Sequence, residues 1–236
     1  MIIIHDKRLP LEYKEALKAR LPSVQLYPFD GPDRVYESIS CHPDIYFFQL
    51  DDNTLIHSPD LPDGKIEILR KSGAHLIKGR SEPFGLYPHT VKYNAVRIGK
   101  VLIHNLEYTD RMILKKAREN GIKAVNAAQG YARCSVLKIS EAALVTSDAS
   151  IATAAVPEGL DVLQVLPGSV LLSGEKYGFL GGAGGKLPDG RVLILGDIGR
   201  HPQADMITDF MREHGVKYID LPGLPLYDAG GLLIFP

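Results

Sequence analysis

Five short segments of the 236-residue chain combine polar side chains with glycine, and they contain the residue types that could do chemistry. They are residues 41–44, 92–94, 130–135, 181–185 and 227–231. A thiol can act as a nucleophile, an imidazole transfers protons near neutral pH, and a carboxylate holds cationic N–H groups by charge-assisted hydrogen bonds. Filling an apolar core would not select such a set, so we interpret these segments as the walls of one pocket.

The elements that must position these segments repeat five times along the chain. In each copy, three or four apolar and often β-branched residues precede a small or polar group. The copies are residues 2–6, 55–58, 101–105, 143–148 and 192–197. Corresponding residues lie about 53, 47, 42 and 49 positions apart, which is within the range of modular repeats. Continuous apolar runs of this length predict strands that are buried on both faces.

A helix and a second strand follow each of these first strands. The predicted helices are residues 11–20, 65–72, 108–120, 150–157 and 204–214. In the third and fifth helices apolar residues recur at helical spacing, and Gly121 and Gly215 then stand where a glycine commonly ends a helix. The predicted second strands are residues 24–26, 74–77, 122–125, 160–165 and 216–219.

A third strand in each repeat leads through a hairpin into the next repeat. The first four of these strands are residues 45–50, 95–98, 135–139 and 183–187, and residues typical of tight turns follow each one. The fifth copy, residues 231–236, has no turn after it. Its missing hairpin partner would be the first strand of the chain, residues 2–4. The sequence therefore predicts a ring in which the two chain ends pair.

We predict an α/β fold, a five-bladed pseudo-symmetric β/α propeller made as a single domain, residues 1–236, from five ββαβ-type repeats. The repeat boundaries are residues 1–50, 51–98, 99–139, 140–187 and 188–236. The alternative is an ordinary open α/β sheet whose segments are similar by coincidence. A Rossmann domain is disfavoured, because no Gly-x-Gly-x-x-Gly motif follows a strand and opens a helix.

A ring of five such units is the pentein fold of the guanidino-group-modifying enzymes, and three segments resemble motifs of that superfamily. Residues 42–51 are similar to the His-x-Asp segment of arginine deiminases, and residues 130–137 resemble the Cys-Ser-Val-Leu segment that carries the family nucleophile. Residues 228–231 resemble the acid-Gly-Gly segment, which here comes last instead of one repeat before the histidine. The chain thus looks circularly permuted, and as a whole it looks most like an uncharacterised bacterial family of this fold.

The resemblance implies a role for each polar residue. Cys134 would attack a guanidinium carbon and form a covalent amidino intermediate. His42 would protonate the departing amine and then activate water. Asp44, Asp228 and Asn94 would bind the substrate. We therefore expect a cysteine-dependent hydrolase or transferase, similar to deiminases, amidinohydrolases or amidinotransferases, that acts on a small guanidine or amidine without a metal or other cofactor.

Other interpretations of these residues stay open. A lone cysteine such as Cys134 on an apolar strand is most often a small core residue, and Cys41 is expected to be structural. The His-Pro-Asp triplet can be a simple turn capped by Asp44. Arg133 is expected to help the thiol little, because adjacent strand residues point to opposite faces. The alternative function is a catalytically silent pentein that binds a small ligand or a macromolecular partner.

The glycine run at residues 181–185 departs from the deiminase pattern, which usually adds another carboxylate at this position. A substrate held like simple arginine is therefore less expected, and the glycines could open room for a bulkier ligand. The long loop of residues 79–91 is expected to cover the pocket.

Composition and charge exclude several other classes of protein. Lys and Arg number 27 and Asp and Glu number 28, so the net charge of −1 excludes a general nucleic-acid footprint. No stretch approaches the roughly 20 apolar residues that cross a bilayer, and the N-terminus lacks the pattern of a signal peptide, so we expect a cytoplasmic protein without a membrane partner. Two cysteines alone make neither a disulfide framework nor a zinc site. The exposed helices of such a ring are compatible with a homodimer.

Overall fold

The computed structural model describes residues 1–235, whose strands form five three-stranded sheets and one two-stranded sheet. Each three-stranded sheet has one of the predicted apolar runs as its middle strand. The middle strand pairs antiparallel with one neighbour and parallel with the other. The strands are β1 (Ile2–Asp6), β2 (Gln25–Phe29), β3 (Phe47–Gln49), β4 (Thr54–His57), β5 (His75–Lys78), β6 (Val96–Ile98), β7 (Val101–His104), β8 (Lys123–Asn126), β9 (Val136–Lys138), β10 (Ala143–Thr146), β11 (Asp161–Gln164), β12 (Val170–Leu171), β13 (Gly184–Lys186), β14 (Val192–Ile194), β15 (Tyr218–Ile219), β16 (Leu226–Tyr227) and β17 (Leu233–Phe235).

Five helices connect the middle strands to their parallel neighbours, as the sequence predicts. The helices of the chain are α1 (Leu11–Arg20), α2 (Pro43–Tyr46), α3 (Asp63–Lys71), α4 (Arg111–Glu119), α5 (Ala132–Ser135), α6 (Ala149–Ala155) and α7 (Ala204–Glu213). The single turns α2 and α5 precede strands instead of connecting them. Short 3₁₀ helices cover Glu37–Ile39, Val156–Glu158 and Ile198–Arg200.

The two ends of the chain pair with each other, which confirms the prediction made from the missing hairpin turn. Strand β1 runs antiparallel to β17, with Ile2 opposite Phe235 and Ile4 opposite Leu233. The first sheet therefore takes its strands from both ends of the chain, in the order β17-β1-β2. Pro236, the last residue of the predicted strand at 231–236, lies outside the described residues.

Each connecting helix packs in a core that its own sheet shares with the sheet before it. Leu17 of α1 clusters with Leu193 of β14, and Ile66 of α3 clusters with Ile4 of β1. Burying one leucine or isoleucine side chain stabilises a fold by about 1.5–3 kcal/mol, so these cores hold neighbouring sheets together. Across residues 1–235 the result is a mixed α/β fold of small sheets, none of which closes into a barrel.

The two-stranded sheet was not predicted, because its strands are too short to give a periodic pattern. Strand β12 pairs in parallel with β16, and the backbone N–H of Asp228 donates to the carbonyl of Leu171 at 2.8 Å. This pairing fixes the backbone that enters the acid-Gly-Gly segment. Among residues 1–235, no helix is both long and apolar enough to cross a membrane.

One strand of each three-stranded sheet follows one of the five polar segments directly. We call these the inner strands: β3, β6, β9, β13 and β17. The residues just before them carry the candidate site.

Candidate active site

Two single helical turns hold the key polar residues of the site. The turn α2 follows His42 and contains Asp44, and the turn α5 contains Arg133 and Cys134. The sequence predicted strands from residues 45 and 135, and the strands begin instead at Phe47 and Val136. Proline at the first position of α2 favours this start, because its fixed φ suits a helix and it lacks the N–H that would stay unpaired. Strand alternation therefore does not apply to Arg133 and Cys134.

The thiol of Cys134 is buried against a carboxylate and an amide. The side chain is 3% exposed, and Sγ donates to Asp44 Oδ2 at 2.9 Å. Asn94 Nδ2 donates to the same sulfur at 3.3 Å. Asn94 Oδ1 also accepts the backbone N–H groups of Arg133 and Cys134, so this buried amide fixes the turn that presents the thiol. Asp44 does not cap its own turn, which removes the simplest structural interpretation of the His-Pro-Asp triplet.

His42 lies within reach of the thiol and has both ring nitrogens free. One ring nitrogen, Cys134 Sγ and one Asp44 oxygen all lie within 4.8 Å of one another. Nδ1 and Nε2 are buried without a hydrogen-bond partner among residues 1–235. Such buried polar atoms are rare because leaving them unpaired costs about 1–3 kcal/mol each. The imidazole is thus placed to exchange protons with a bound group.

Asp228 is the last of the five predicted site residues, and the segment that contains it packs against His42. Its carboxylate accepts the backbone N–H groups of Phe179 at 2.8 Å and of Gly230 at 2.9 Å. Gly230 has a φ of +73° and lies against the His42 side chain, where a Cβ would overlap the ring. The carbonyl of Gly230 accepts the backbone N–H of Asp44 at 3.3 Å. The structure therefore brings all five predicted site residues into one cluster.

Burial of like charges dominates the electrostatics of this cluster. Burial raises the pKa of Asp44 to about 6, and the charges of His42 and Arg133 oppose this shift. Burial also raises the pKa of Asp228. The pKa of the Cys134 thiol is raised well above its ordinary value by burial and then by the charges of Asp44 and Asp228. The thiol is therefore protonated at neutral pH, beside two carboxylates that lack a full complement of cations.

The sequence predicts that Arg133 helps the thiol little, and the structure shows where its side chain acts instead. Its guanidinium donates to the carbonyl oxygens of Gly181 at 2.9 Å and Gly184 at 3.1 Å. Its charge lowers the pKa of both Asp44 and Asp228. Arg133 acts on the carboxylates instead of on the sulfur, and the helical turn makes this possible because its residues do not alternate as in a strand.

Gly181 and Gly182 of the glycine run leave no room for a larger ligand beside the cluster, whereas Gly184 and Gly185 line a cavity. The space next to Gly182 is filled by the Asp228 carboxylate, and the space next to Gly181 by the carbonyl of Val136. The carbonyl of Gly182 accepts the backbone N–H groups of Ala229 and Gly231. Glycine is needed here because the acid-Gly-Gly segment packs directly on this backbone.

We expect Gly182→Ala to displace the Asp228 carboxylate, because the added Cβ would overlap its oxygens. The free energy of unfolding should fall by about 1–3 kcal/mol, the usual cost of overpacking. Urea unfolding measures this change. The matched control is Gly64→Ala in α3, where a Cβ meets nothing within 4 Å and alanine should stabilise the helix by about 0.5–1 kcal/mol. Equal stability of Gly182→Ala and the natural chain would contradict the close packing.

Asp6 is a site residue that the sequence analysis missed. Its Oδ2 lies 3.6 Å from His42 Nε2, and both side chains are buried. Arg8 holds this carboxylate through Nε at 3.0 Å and Nη2 at 2.6 Å. The only signal in the sequence was the position of Asp6 at the end of the first apolar run, which does not show which distant segment it meets.

Hydroxyl and aromatic contacts join neighbouring loops to the segment that leads into α5. Tyr131 hydrogen bonds to the hydroxyls of Tyr36 and Thr90, each at 2.7 Å. The ring of Tyr87, in the loop expected to cover the pocket, lies 5.8 Å from the Tyr131 ring and packs on Gly130. The expected covering loop thus contacts the segment that leads into α5. No sequence pattern indicated the hydroxyl network, because its members are far apart in the chain.

The side chains of His42, Asp44 and Cys134 could also hold a metal ion. Nitrogen, oxygen and sulfur donors are all found around zinc. In the contacts described here the thiol keeps its proton and donates it to Asp44. A ligated thiol is instead deprotonated, so metal binding would replace this hydrogen bond.

Solved structures with the same fold include three guanidino-group-modifying enzymes. SxtG, an amidinotransferase from Microseira wollei in the saxitoxin biosynthetic pathway, is 9% identical over 98% of this chain and 93% of its own, with a TM-score of 0.53. A dimethylarginine dimethylaminohydrolase in an adduct with 4-chloro-2-hydroxymethylpyridine is 10% identical over 93% of this chain and 91% of its own, with a TM-score of 0.54. The agmatine deiminase of C. jejuni is 10% identical over 93% of this chain and 87% of its own, with a TM-score of 0.53.

These similarities assign the chain to the pentein fold, as its sequence motifs predict. The chain belongs to DUF6873, a family of unknown function whose pattern matches residues 4–233. No curated protein sequence matches it.

Proposed function

We propose that this protein is a cysteine-dependent enzyme that modifies a small guanidino or amidino compound through a covalent thiol intermediate. The observation that carries the proposal is the contact of the Cys134 thiol with the buried Asp44 carboxylate, within reach of a His42 ring whose nitrogens form no hydrogen bond among residues 1–235. The structural relatives are guanidino-group-modifying enzymes, which supports the same class of substrate.

The buried carboxylates favour a planar cation as the substrate. Asp44 Oδ1 is buried without a hydrogen-bond partner among residues 1–235, so it is free to accept an N–H group. Asp228 is held rigidly by two backbone N–H groups. A guanidinium or amidinium group presents several N–H donors in one plane and carries the positive charge that these carboxylates lack. Binding such a cation offsets the cost of burying them.

The same cation would activate the nucleophile. The charges of Asp44 and Asp228 keep the pKa of the thiol high, so a bound cation that neutralises them lowers it. His42 then accepts the thiol proton on a ring nitrogen. The thiol is therefore inert in the free protein and becomes a nucleophile when the substrate is bound.

The covalent step conserves atoms and charge. The thiolate forms a bond from Sγ to the amidino carbon, and the tetrahedral adduct collapses as the bond from carbon to the leaving nitrogen breaks. His42 returns its proton to that nitrogen, which leaves as ammonia or an amine. In a hydrolase, His42 next removes a proton from water, which attacks the same carbon and releases Cys134. In a transferase an acceptor amine takes the place of water.

The overall arrangement that suits this chemistry is a single domain of five sheets set as the blades of a closed propeller. Pairing of β1 with β17 and the cores shared between neighbouring sheets support this part of the proposal. The order of the motifs would then be circularly permuted relative to the deiminases. Closely placed chain ends make such a permutation physically easy.

Labelling with 2-chloroacetamidine tests the activated thiol directly. This cationic electrophile should label Cys134 in a Cys41→Ser background. The pH dependence of the labelling rate should change when His42 is replaced by asparagine. The covalent adduct is counted by intact-protein mass spectrometry. The matched neutral reagent, 2-chloroacetamide, should react far more slowly because it lacks the cation that the carboxylates bind. Equal rates with both reagents would contradict substrate-assisted activation.

A catalytically silent pentein is the second candidate, and the burial of the thiol favours it. The Cys134 side chain is only 3% exposed. This candidate predicts a sluggish Cys134 and no release of ammonia, amine or urea from any guanidine in a panel. Labelling at Cys134 that requires His42 would exclude it.

A further inference from the structure

A cavity adjoins the cluster at Asp44 and Arg133. It has a volume of about 630 Å³ and is lined by residues of all five inner strands, one strand from each three-stranded sheet. Its wall also includes residues 51–53, Pro188 and Gly190 of two hairpin turns, and Asp44 and Arg133. The other four predicted site residues, Cys134, His42, Asp228 and Asn94, do not line it. The cavity therefore meets the candidate active site only at a shared wall.

Three cations of this cavity donate only to backbone carbonyl oxygens among the described residues. Arg97 donates to the carbonyls of Leu50 and Gly99, Lys186 donates to the carbonyl of Ile139, and Arg133 donates to two glycine carbonyls. None of the three forms a salt bridge within residues 1–235.

The acidic residues of the same wall interact with these cations only through their charges, as Asp44 does with Arg133 and Glu141 does with Arg97 and Lys186. Glu141 forms an ion pair with Lys138 and accepts the backbone N–H of Gly99. Asp51 and Asp52 lie exposed in a hairpin turn. Burial lowers the pKa of Lys186, and the charge of Lys138 adds to this effect. The wall thus carries four cations and four acidic residues, and Lys186, Arg97 and Arg133 are the cations that form no salt bridge with any of those acids.

We propose that this cavity is a binding site for a small anionic metabolite that carries a carboxylate or phosphate group, bound by Lys186, Arg97 and Arg133. Its volume is in the range of sites for small metabolites, which is about 300–1,000 Å³. Guanidinium groups and ammonium groups bind both kinds of anion through charge-assisted hydrogen bonds. The chemistry is opposite to that of the active site, where carboxylates await a cation. The ligand is therefore a separate molecule and not the reacting group of the substrate.

Calorimetric titration at constant ionic strength tests the site, with inorganic phosphate in one arm and citrate in the other. We expect saturable binding of at least one of the two anions. Lys186→Met and Arg97→Met should each weaken it about tenfold or more, the usual effect of losing a charged hydrogen bond. The control is Lys176→Met, which alters an exposed lysine outside the cavity. Two cavity variants are used, because a variant that fails to fold would lose binding for that reason alone. Urea unfolding identifies such a variant.

Alkylation of Cys134 separates this proposal from the proposed function. Protein labelled with 2-chloroacetamidine, or the Cys134→Ser variant if labelling fails, should bind the anion as the natural chain does. Absence of saturable binding of both anions would overturn the proposal, and so would unchanged affinity in the cavity variants. Loss of binding on alkylation or substitution of Cys134 would also overturn it, because the anion would then occupy the active site.

Discussion

Replacing Cys134 by serine is expected to abolish turnover of any guanidine substrate and to leave the fold intact. The thiolate is the proposed nucleophile, and loss of a covalent nucleophile typically costs about 10³-fold or more in kcat. Serine keeps a donor for Asp44 Oδ2, so the melting temperature should change little. Release of ammonia, amine or urea from a panel of guanidines measures the activity.

The matched control is Cys41→Ser, which alters the other cysteine. Cys41 is also buried and free, and its sulfur lies 3.6 Å from Asp30 Oδ1, away from the cluster. This variant should keep full activity, because its thiol contacts no group in the proposed mechanism. An active Cys134→Ser protein would end the covalent mechanism, whatever the behaviour of the control.

Replacing Asp44 by asparagine is expected to abolish turnover and also to change how stability depends on pH. Turnover falls because the substrate cation loses a buried carboxylate. The stability effect follows from the pKa of Asp44, which burial raises from 3.8 in the ordinary group to about 6 in the fold. A carboxyl group with a raised pKa binds its proton more tightly in the folded state than in the unfolded state.

This difference in proton binding fixes the direction in which the free energy of unfolding changes with pH. The contribution of Asp44 to the free energy of unfolding is complete below about pH 4 and is lost as the pH rises through about 6. The loss amounts to about 3 kcal/mol, because each pKa unit corresponds to about 1.4 kcal/mol. Relative to Asp44→Asn, the natural chain should thus lose stability between about pH 4 and pH 7 and change little above that range.

Urea unfolding of both proteins across this pH range makes the comparison, since titrating groups that do not interact with Asp44 cancel in the difference. The control is Asp209→Asn, which removes an exposed carboxylate of α7 that pairs with Arg212. The free energy of unfolding of this control should differ little from that of the natural chain at every pH, because exposed ion pairs contribute little. If the difference in free energy of unfolding between Asp44→Asn and the natural chain did not change with pH, the buried charge on which the proposed function depends would be contradicted.

Both expectations describe a site that is stable but inactive until a cation arrives. Two buried carboxylates and a protonated thiol are costly together, and the fold holds them through backbone N–H groups and Asn94. Proteins keep such strain at functional sites, where a ligand relieves it. Binding energy from the substrate cation is then used both to hold the guanidino group and to generate the nucleophile.

The sequence predicted the repeating framework well because that framework depends on local pattern. The apolar runs became the middle strands, and α1 occupies the predicted residues 11–20. Gly121 and Gly215 end their helices with φ of +63° and +65°, a conformation that glycine adopts without strain. Pairing of the chain ends followed from counting strands, since the first copy lacked a partner and the last copy lacked a turn.

The motifs also located the site, but their local geometry was different from the prediction. His42, Asp44, Asn94, Cys134 and Asp228 come together from four separate segments. A strand was predicted where Cys134 lies in a helical turn, because four residues are too few to show a helical period. The strand-alternation argument for Arg133 fails for the same reason, although Arg133 does act on the carboxylates and not on the sulfur.

The sequence by itself determined the number and order of the repeats, the pairing of the two chain ends and the residue types at the cluster. Only the tertiary structure decided that Asp6 approaches His42, that the glycine run makes room for Asp228, and that three cations without a salt bridge among the described residues face one cavity. The physical reason is the distance along the chain over which each effect acts. Periodicity and turn residues act over a few positions, whereas burial and charge depend on which distant segments meet, and these quantities set the chemistry of the site.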